Sequence, residues 1–106
     1  QGADSAMYNS ITTIVDKGRA EEVISAATAA GSKGGTIINA RGSGIYETSK
    51  VFAMEIEPEK ELVIILSEKE HTEAIVDAIR EKLKIELPGH GIIYVQDIKR
   101  AYGIYK

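Results

Sequence analysis

The chain has no cysteine, no tryptophan, one phenylalanine and two prolines among its 106 residues. Without cysteine there is no disulfide framework, no thiolate metal site and no thiol nucleophile within this chain. A reducing, cytoplasmic location fits that composition and is the expected one. Aromatic side chains are scarce, with five tyrosines beside the single phenylalanine. The interior must therefore be built from Ile, Val, Leu and Ala, the palette of a thin sheet packed by helices. No stretch approaches the roughly 20 continuous apolar residues of a membrane-spanning helix, and residues 1–8 lack the basic start and apolar run of a signal peptide. Membrane insertion is not expected. Thirteen basic against 16 acidic residues give a net charge of -3, and the basic residues do not gather into a phosphate-tracking stretch. Nucleic acid is not an expected partner.

What is present reads as one domain, since a chain of this length is too short for two independent cores. Residues 1–9 are expected to be a flexible leading segment or a remnant of cloning. They are small and polar up to Met7, a candidate natural start, and residues 10–106 form the domain. Residues 10–15 (SITTIV) are short and β-branched, which predicts a strand, and Asp16 follows as a candidate cap for a helical pattern starting near Lys17. In that pattern Ala20, Val23, Ile24, Ala27 and Ala30 recur at three- and four-residue spacing, with Gly31 placed as a left-handed C-terminal cap. Residues 36–40 (TIINA) then predict a second strand, entered through Gly34 and Gly35.

The same order returns further on. Residues 62–66 (LVIIL) form a continuous apolar run that fits a strand buried on both faces. Ser67 and Glu70 have the spacing of a capping box, ahead of an apolar stripe at Ile75, Ala78, Ile79 and Leu83. After Pro88 and a turn at Gly89, His90 and Gly91, residues 92–95 (IIYV) predict the closing strand. Two strand-helix-strand halves imply an α+β ferredoxin-like (βαββαβ) sandwich, with a four-stranded antiparallel sheet and two helices on one face. Residues 41–60 join the halves, a long connection for a compact domain. In its second part Val51, Ala53 and Glu55 alternate with Phe52, Met54 and Ile56, the pattern of a strand. Two readings stay open for it: a hairpin extension of the sheet, or a loop contacting ligands or partners.

Several of these pieces together resemble the nitrogen-regulatory PII proteins and their PII-like relatives. They are Gly34, Gly35 and Thr36 entering the second strand, Arg41-Gly42-Ser43-Gly44 opening the long loop, residues 73–80 (EAIVDAIR), and residues 88–97 (PGHGIIYVQD). The resemblance implies a homotrimer whose intersubunit clefts hold an adenine nucleotide, and a long loop that grips a target transporter or metabolic enzyme. It places Thr36, Arg41, Gly42, Gly89, His90 and Gly91 at the ligand cleft, and Gly44, Ile45, Tyr46, Glu47 and Phe52 on the partner-contacting loop. The match is partial. Ile92 stands where family members carry a lysine on the nucleotide phosphates, and Gly103 and Tyr105 stand near the positions of two arginines. Charge-assisted hydrogen bonds carry much of phosphate affinity, so nucleotide binding is expected to be weak or rebuilt from Lys33, Arg41 or Lys99. The loop is also shorter than in the best-known members and lacks their tyrosine modification context.

Catalytic chemistry has little support. His71 and His90 are the only histidines, and neither has a carboxylate at a zinc-motif spacing, so no metal is expected. No Walker-type loop and no nucleophile elbow occur. Glu55, Glu57, Glu59 and Glu61 alternate as on a solvated strand face, which does not call for acid-base work. The leading expectation is a regulatory protein without enzymatic activity. A trimeric structural or interaction module that has lost nucleotide sensing is the runner-up, and an enzyme using His90 as acid-base group is a third reading. Trimer formation has its own physical warrant: helices on one side leave the other face of the sheet open, where LVIIL and IIYV would expose apolar groups unless sister copies cover them.

Overall fold

The computed structural model describes residues 7–42, 49–51, 54–56 and 58–104. The order is β1 (Tyr8–Asp16), α1 (Ala20–Ala29), β2 (Thr36–Arg41), β3 (Ser49–Val51), β4 (Met54–Ile56), β5 (Glu59–Glu68), α2 (Lys69–Leu83) and β6 (Ile92–Asp97). β2, β5, β1 and β6 lie side by side in that order, each pair antiparallel. This is the expected ferredoxin-like sheet. The alternating stretch of the connection forms a hairpin of its own, β3 with β4, in a separate two-stranded sheet.

β1 begins two residues ahead of the expected start. Tyr8 and Asn9 are buried and belong to the fold rather than to the leading segment. Side chains alternate across a strand, so Ile11, Thr13 and Val15 share one face with Val63 and Ile65 of β5. All five are fully buried. Against that face α1 sets Ala20, Val23 and Ala27, spaced three and four residues apart, and α2 sets Ile75, Ile79 and Leu83, spaced four apart. Each fully buried Ile, Val or Leu contributes about 1.5–3 kcal/mol.

The ends of α1 show where sequence spacing was misleading. The helix starts at Ala20, not near Lys17, because Gly18 takes a left-handed φ of 96° and turns the chain. Asp16 does not cap it. Its carboxylate pairs with the buried Lys60 ammonium at 2.6 Å. Capping comes from across the sheet, where one Glu61 oxygen accepts the N–H of Gly18 at 3.0 Å and of Ala20 at 2.9 Å. Replacing Glu61 with alanine is expected to cost about 1–2 kcal/mol of stability in urea denaturation, much more than Glu59→Ala, which removes only an exposed ion pair with Lys17. At the other end Gly31 meets its expectation. With φ 114°, its N–H reaches the Thr28 carbonyl while the Ser32 N–H reaches that of Ala27, the paired bonds of a Schellman cap.

α2 begins at Lys69 behind Glu68, with no side-chain cap. The Ser67 hydroxyl is drawn inward instead, 2.7 Å from Thr72 Oγ1, so the spacing read as a capping box does not act as one. The helix closes with the same paired bonds as α1, here around Lys84 at φ 53°.

The apolar run of β5 is not buried on both faces within one chain. Ile38, Leu62, Ile14 and Ile92 stand directly opposite one another across β2, β5, β1 and β6, on the face away from the helices. On that face Ile38, Leu66, Tyr94 and Ile92 are 42–57% exposed. The helix side is sealed at its centre, while at its edges Ile37 on β2 and Val95 on β6 are 38% and 43% exposed.

Candidate functional site

Backbone bonding decides where the sheet keeps unused polar groups. The Lys17 N–H reaches the Glu59 carbonyl on the β1 side, and the Gly42 N–H reaches the Pro58 carbonyl on the β2 side, each at 3.2 Å. In an antiparallel ladder a residue turns its N–H and C=O to the same side, and successive residues alternate. Odd-numbered β5 residues therefore bond β1, and even-numbered ones bond β2. β2 begins at Thr36, opposite Ile64. The next even residue, Leu66, turns its N–H and C=O toward a side where β2 has not yet started.

A cavity of about 550 Å³ lies there, lined by residues that include Tyr8, the segment from Gly31 to Thr36, Leu66, Glu68, His71 and Ile104. Its volume is in the range of small-molecule sites. Apolar walls come from Tyr8, Ile64, Leu66, Ile75 and Ile104. Lys33 stands exposed at its rim. His71 Nδ1 lies 3.4 Å from a Glu68 oxygen on the first turn of α2. Gly35 has no room for a side chain, since a Cβ there would sit 3.0 Å from Ile65 Cγ1 and 3.2 Å from the Ile64 carbonyl.

The residues expected at the ligand cleft are not brought together within one chain. Thr36 lines the cavity. Arg41 and Gly42 lie at the far end of β2, where Gly42 bonds Pro58 and closes the base of the long connection. A second tie there joins Lys17 to Glu59 at 2.9 Å. Their hydrogen bond holds the Glu59 carboxyl below the ordinary 4.5 and the Lys17 ammonium above its usual value. Glu59 thus stays ionised until the pH falls below the ordinary glutamate range, so the tie is intact at neutral pH and weakens in acid, or in base strong enough to deprotonate Lys17.

Gly89, His90 and Gly91 enter β6, on the opposite edge of the sheet from β2, about three strand spacings of ~4.8 Å away. His90 Nδ1 lies 2.8 Å from the Leu83 carbonyl. A carbonyl only accepts, so Nδ1–H donates and closes the end of α2. Gly91, at φ 137°, has the Ile14 carbonyl 3.0 Å from where its Cβ would stand. Gly44, Ile45, Tyr46, Glu47 and Phe52 lie outside the described residues, as does Tyr105. Sequence reasoning missed Tyr8, Ser32, Leu66, Ser67, Glu68 and Ile104 as cavity residues, and it gave His71 no part in the site. Among the described residues no group of His, Asp and Glu is arranged to hold a metal ion, and no helix is long and apolar enough to cross a membrane.

The small antiparallel α+β sandwich, with two helices on one face of a four-stranded sheet, defines a module of ferredoxin-like fold. The sequence model of the nitrogen regulatory protein P-II matches residues 8–106, and the chain belongs to that family. It is accordingly a signalling protein of regulatory kind, not an enzyme. Among solved structures it is similar to Arabidopsis thaliana PII bound to citrate, at 24% identity and a TM-score of 0.67, over 88% of this chain and 78% of that one. It is similar also to the Bacillus subtilis GlnK-ATP complex, at 21% identity and a TM-score of 0.68, over 92% and 86%. No curated protein matches significantly by sequence. At these identities the structural likeness speaks to the fold.

Proposed function

We propose that the chain is a cytoplasmic PII-type sensor. It takes a small effector in the cavity beside Leu66, assembles as a homotrimer through the open face of its sheet, and presents residues 41–60 to a target transporter or metabolic enzyme. The observation that carries this reading is Leu66, whose N–H and C=O have no β2 partner among the described residues and which lines a cavity with apolar walls. One strand residue offers a donor and an acceptor side by side, which matches the ring nitrogen and exocyclic amine on one edge of adenine. An adenine nucleotide is therefore the candidate effector, and the similar structures named above with citrate and with ATP are consistent with an anionic ligand.

In the trimer a sister copy supplies the turn at Gly89, His90 and Gly91 to the cleft that Thr36, Arg41 and Gly42 border, which accounts for their separation within one chain. Ile92 and Gly103 bring no charge to the phosphates, so Lys33 at the rim is the cation nearest to that task.

Calorimetry with ATP, ADP, AMP and citrate tests the effector, and limited proteolysis around residues 42–57 tests coupling to the loop. Saturable heat with an adenine nucleotide, accompanied by slower cleavage, is expected. No heat with any of the four at millimolar concentration, and a cleavage rate indifferent to them, would leave the runner-up: a trimeric interaction module without sensing.

A further inference from the structure

Histidine is the side-chain type whose charge changes near neutral pH, and one lines the cavity. His71 stands on the first turn of α2. Its ring lies against the end of α1, with Cδ2 3.8 Å from where a Gly31 Cβ would stand, and its Nδ1 is 3.4 Å from a Glu68 oxygen. The side chain is 49% exposed, so protons reach it from solvent.

The charged groups around it come from three directions. Glu68, at the N-cap of α2, is the near carboxyl. Lys33, on the turn after α1, is the cation on the same wall, and Tyr8 reaches that wall from β1 with a phenol. On the helical turn of His71 itself, Glu70 is exposed and Lys69 lies 3.6 Å from Asp97 at the end of β6. Among the described residues, β5 and the C-terminal stretch bring only Ile64, Leu66, Ser67 and Ile104 to this wall, none of them charged. Lys33 and Glu68 are there in the empty cavity too and set only the starting point. What an anionic effector adds is a second negative group beside an imidazole that already has one, and nearby opposite charge favours the protonated ring.

We propose that an anionic effector enters this cavity together with a proton taken up on His71, so that the site responds to pH as well as to effector concentration. This rests on the effector-site reading above. The occupied site holds the proton more tightly than the empty one. The added affinity is therefore fully present at the acid end of the imidazole range and is lost as the pH rises through it.

The test uses ATP. Its phosphates titrate in the same range, so calorimetry is run on the unsubstituted chain and on His71→Gln, where that contribution is the same. Between about pH 6 and about pH 8 the unsubstituted chain is expected to lose about threefold or more affinity beyond the loss seen in the variant. Near pH 7, two buffers of different ionisation enthalpy count the protons taken up, and His71→Gln is expected to lower that count. The chain has only two histidines, so proton NMR follows both rings with no substitution at all and decides the matter if the variant fails to fold. ATP is expected to raise the titration midpoint of His71 by about half a unit or more.

A pH dependence and proton count unchanged by His71→Gln would overturn the proposal while leaving the effector site standing. So would a midpoint shift confined to His90, the ring on the other cleft turn. No heat with ATP at either pH would remove the effector site itself, and this coupling with it.

Discussion

Replacing Gly91 with alanine is expected to lower the unfolding free energy by about 2–4 kcal/mol. Two costs combine at this position. Its φ of 137° is one that residues with a side chain rarely adopt, and the added Cβ would meet the Ile14 carbonyl at 3.0 Å and Ile85 Cδ1 at 3.2 Å. The carbonyl belongs to β1 in the middle of the sheet and cannot move aside without loosening the β1 ladder. Gly89 provides the comparison. It too has a positive φ, 80°, but nothing lies within 4 Å of where its Cβ would stand, so Gly89→Ala is expected to cost only about 1 kcal/mol. Urea unfolding of the two variants side by side makes the measurement. Equal losses would mean that the contact with Ile14 carries no weight.

The second large effect concerns assembly. Changing Ile92 to aspartate is expected to convert a trimer into a folded monomer of 11.5 kDa, read by sedimentation velocity with circular dichroism as the check on folding. Ile92 is 57% exposed and lies away from the helix-packed core, so the fold tolerates a charge there. A close-packed assembly around a common axis would instead bury three unpaired carboxylates, at a cost of several kcal/mol each. An unsubstituted chain that already sediments as a monomer would refute the trimer without touching the fold.

Much of the fold was legible because it follows from local periodicity. The stripes on α1 and α2, the glycine at the end of α1 and the repeated strand-helix-strand order all depend on residues a few positions apart. Errors arose where a distant residue decided the outcome. Asp16 and Ser67 had the right types and spacing to cap helices. Lys60, 44 residues from Asp16 in sequence, took the first as an ion-pair partner, and Thr72 took the second into a buried network. The true acceptor at the start of α1 was Glu61, on another strand.

The candidate site was less legible for the same reason. The part of Leu66 turned to the cavity is backbone, and its direction depends on register and on where β2 starts. Gly91 and His90 stand out in the sequence as a ligand-binding turn, yet in the fold both have structural duties toward Ile14 and Leu83.

Thr36, at the start of β2, borders the cavity, and Arg41, at its end, borders the tethered connection, so the cavity and the connection meet the two tips of one six-residue strand. Strand geometry puts those tips about 17 Å apart. The even-numbered residues of β2 are tied to β5, and the alternation leaves the amides of Ile37 and Asn39 facing outward from the edge. A tilt or slide of this single rod would be felt at both tips together. Deuterium uptake at those two amides offers a direct gauge of whether the rod has been docked against a neighbour or left bare.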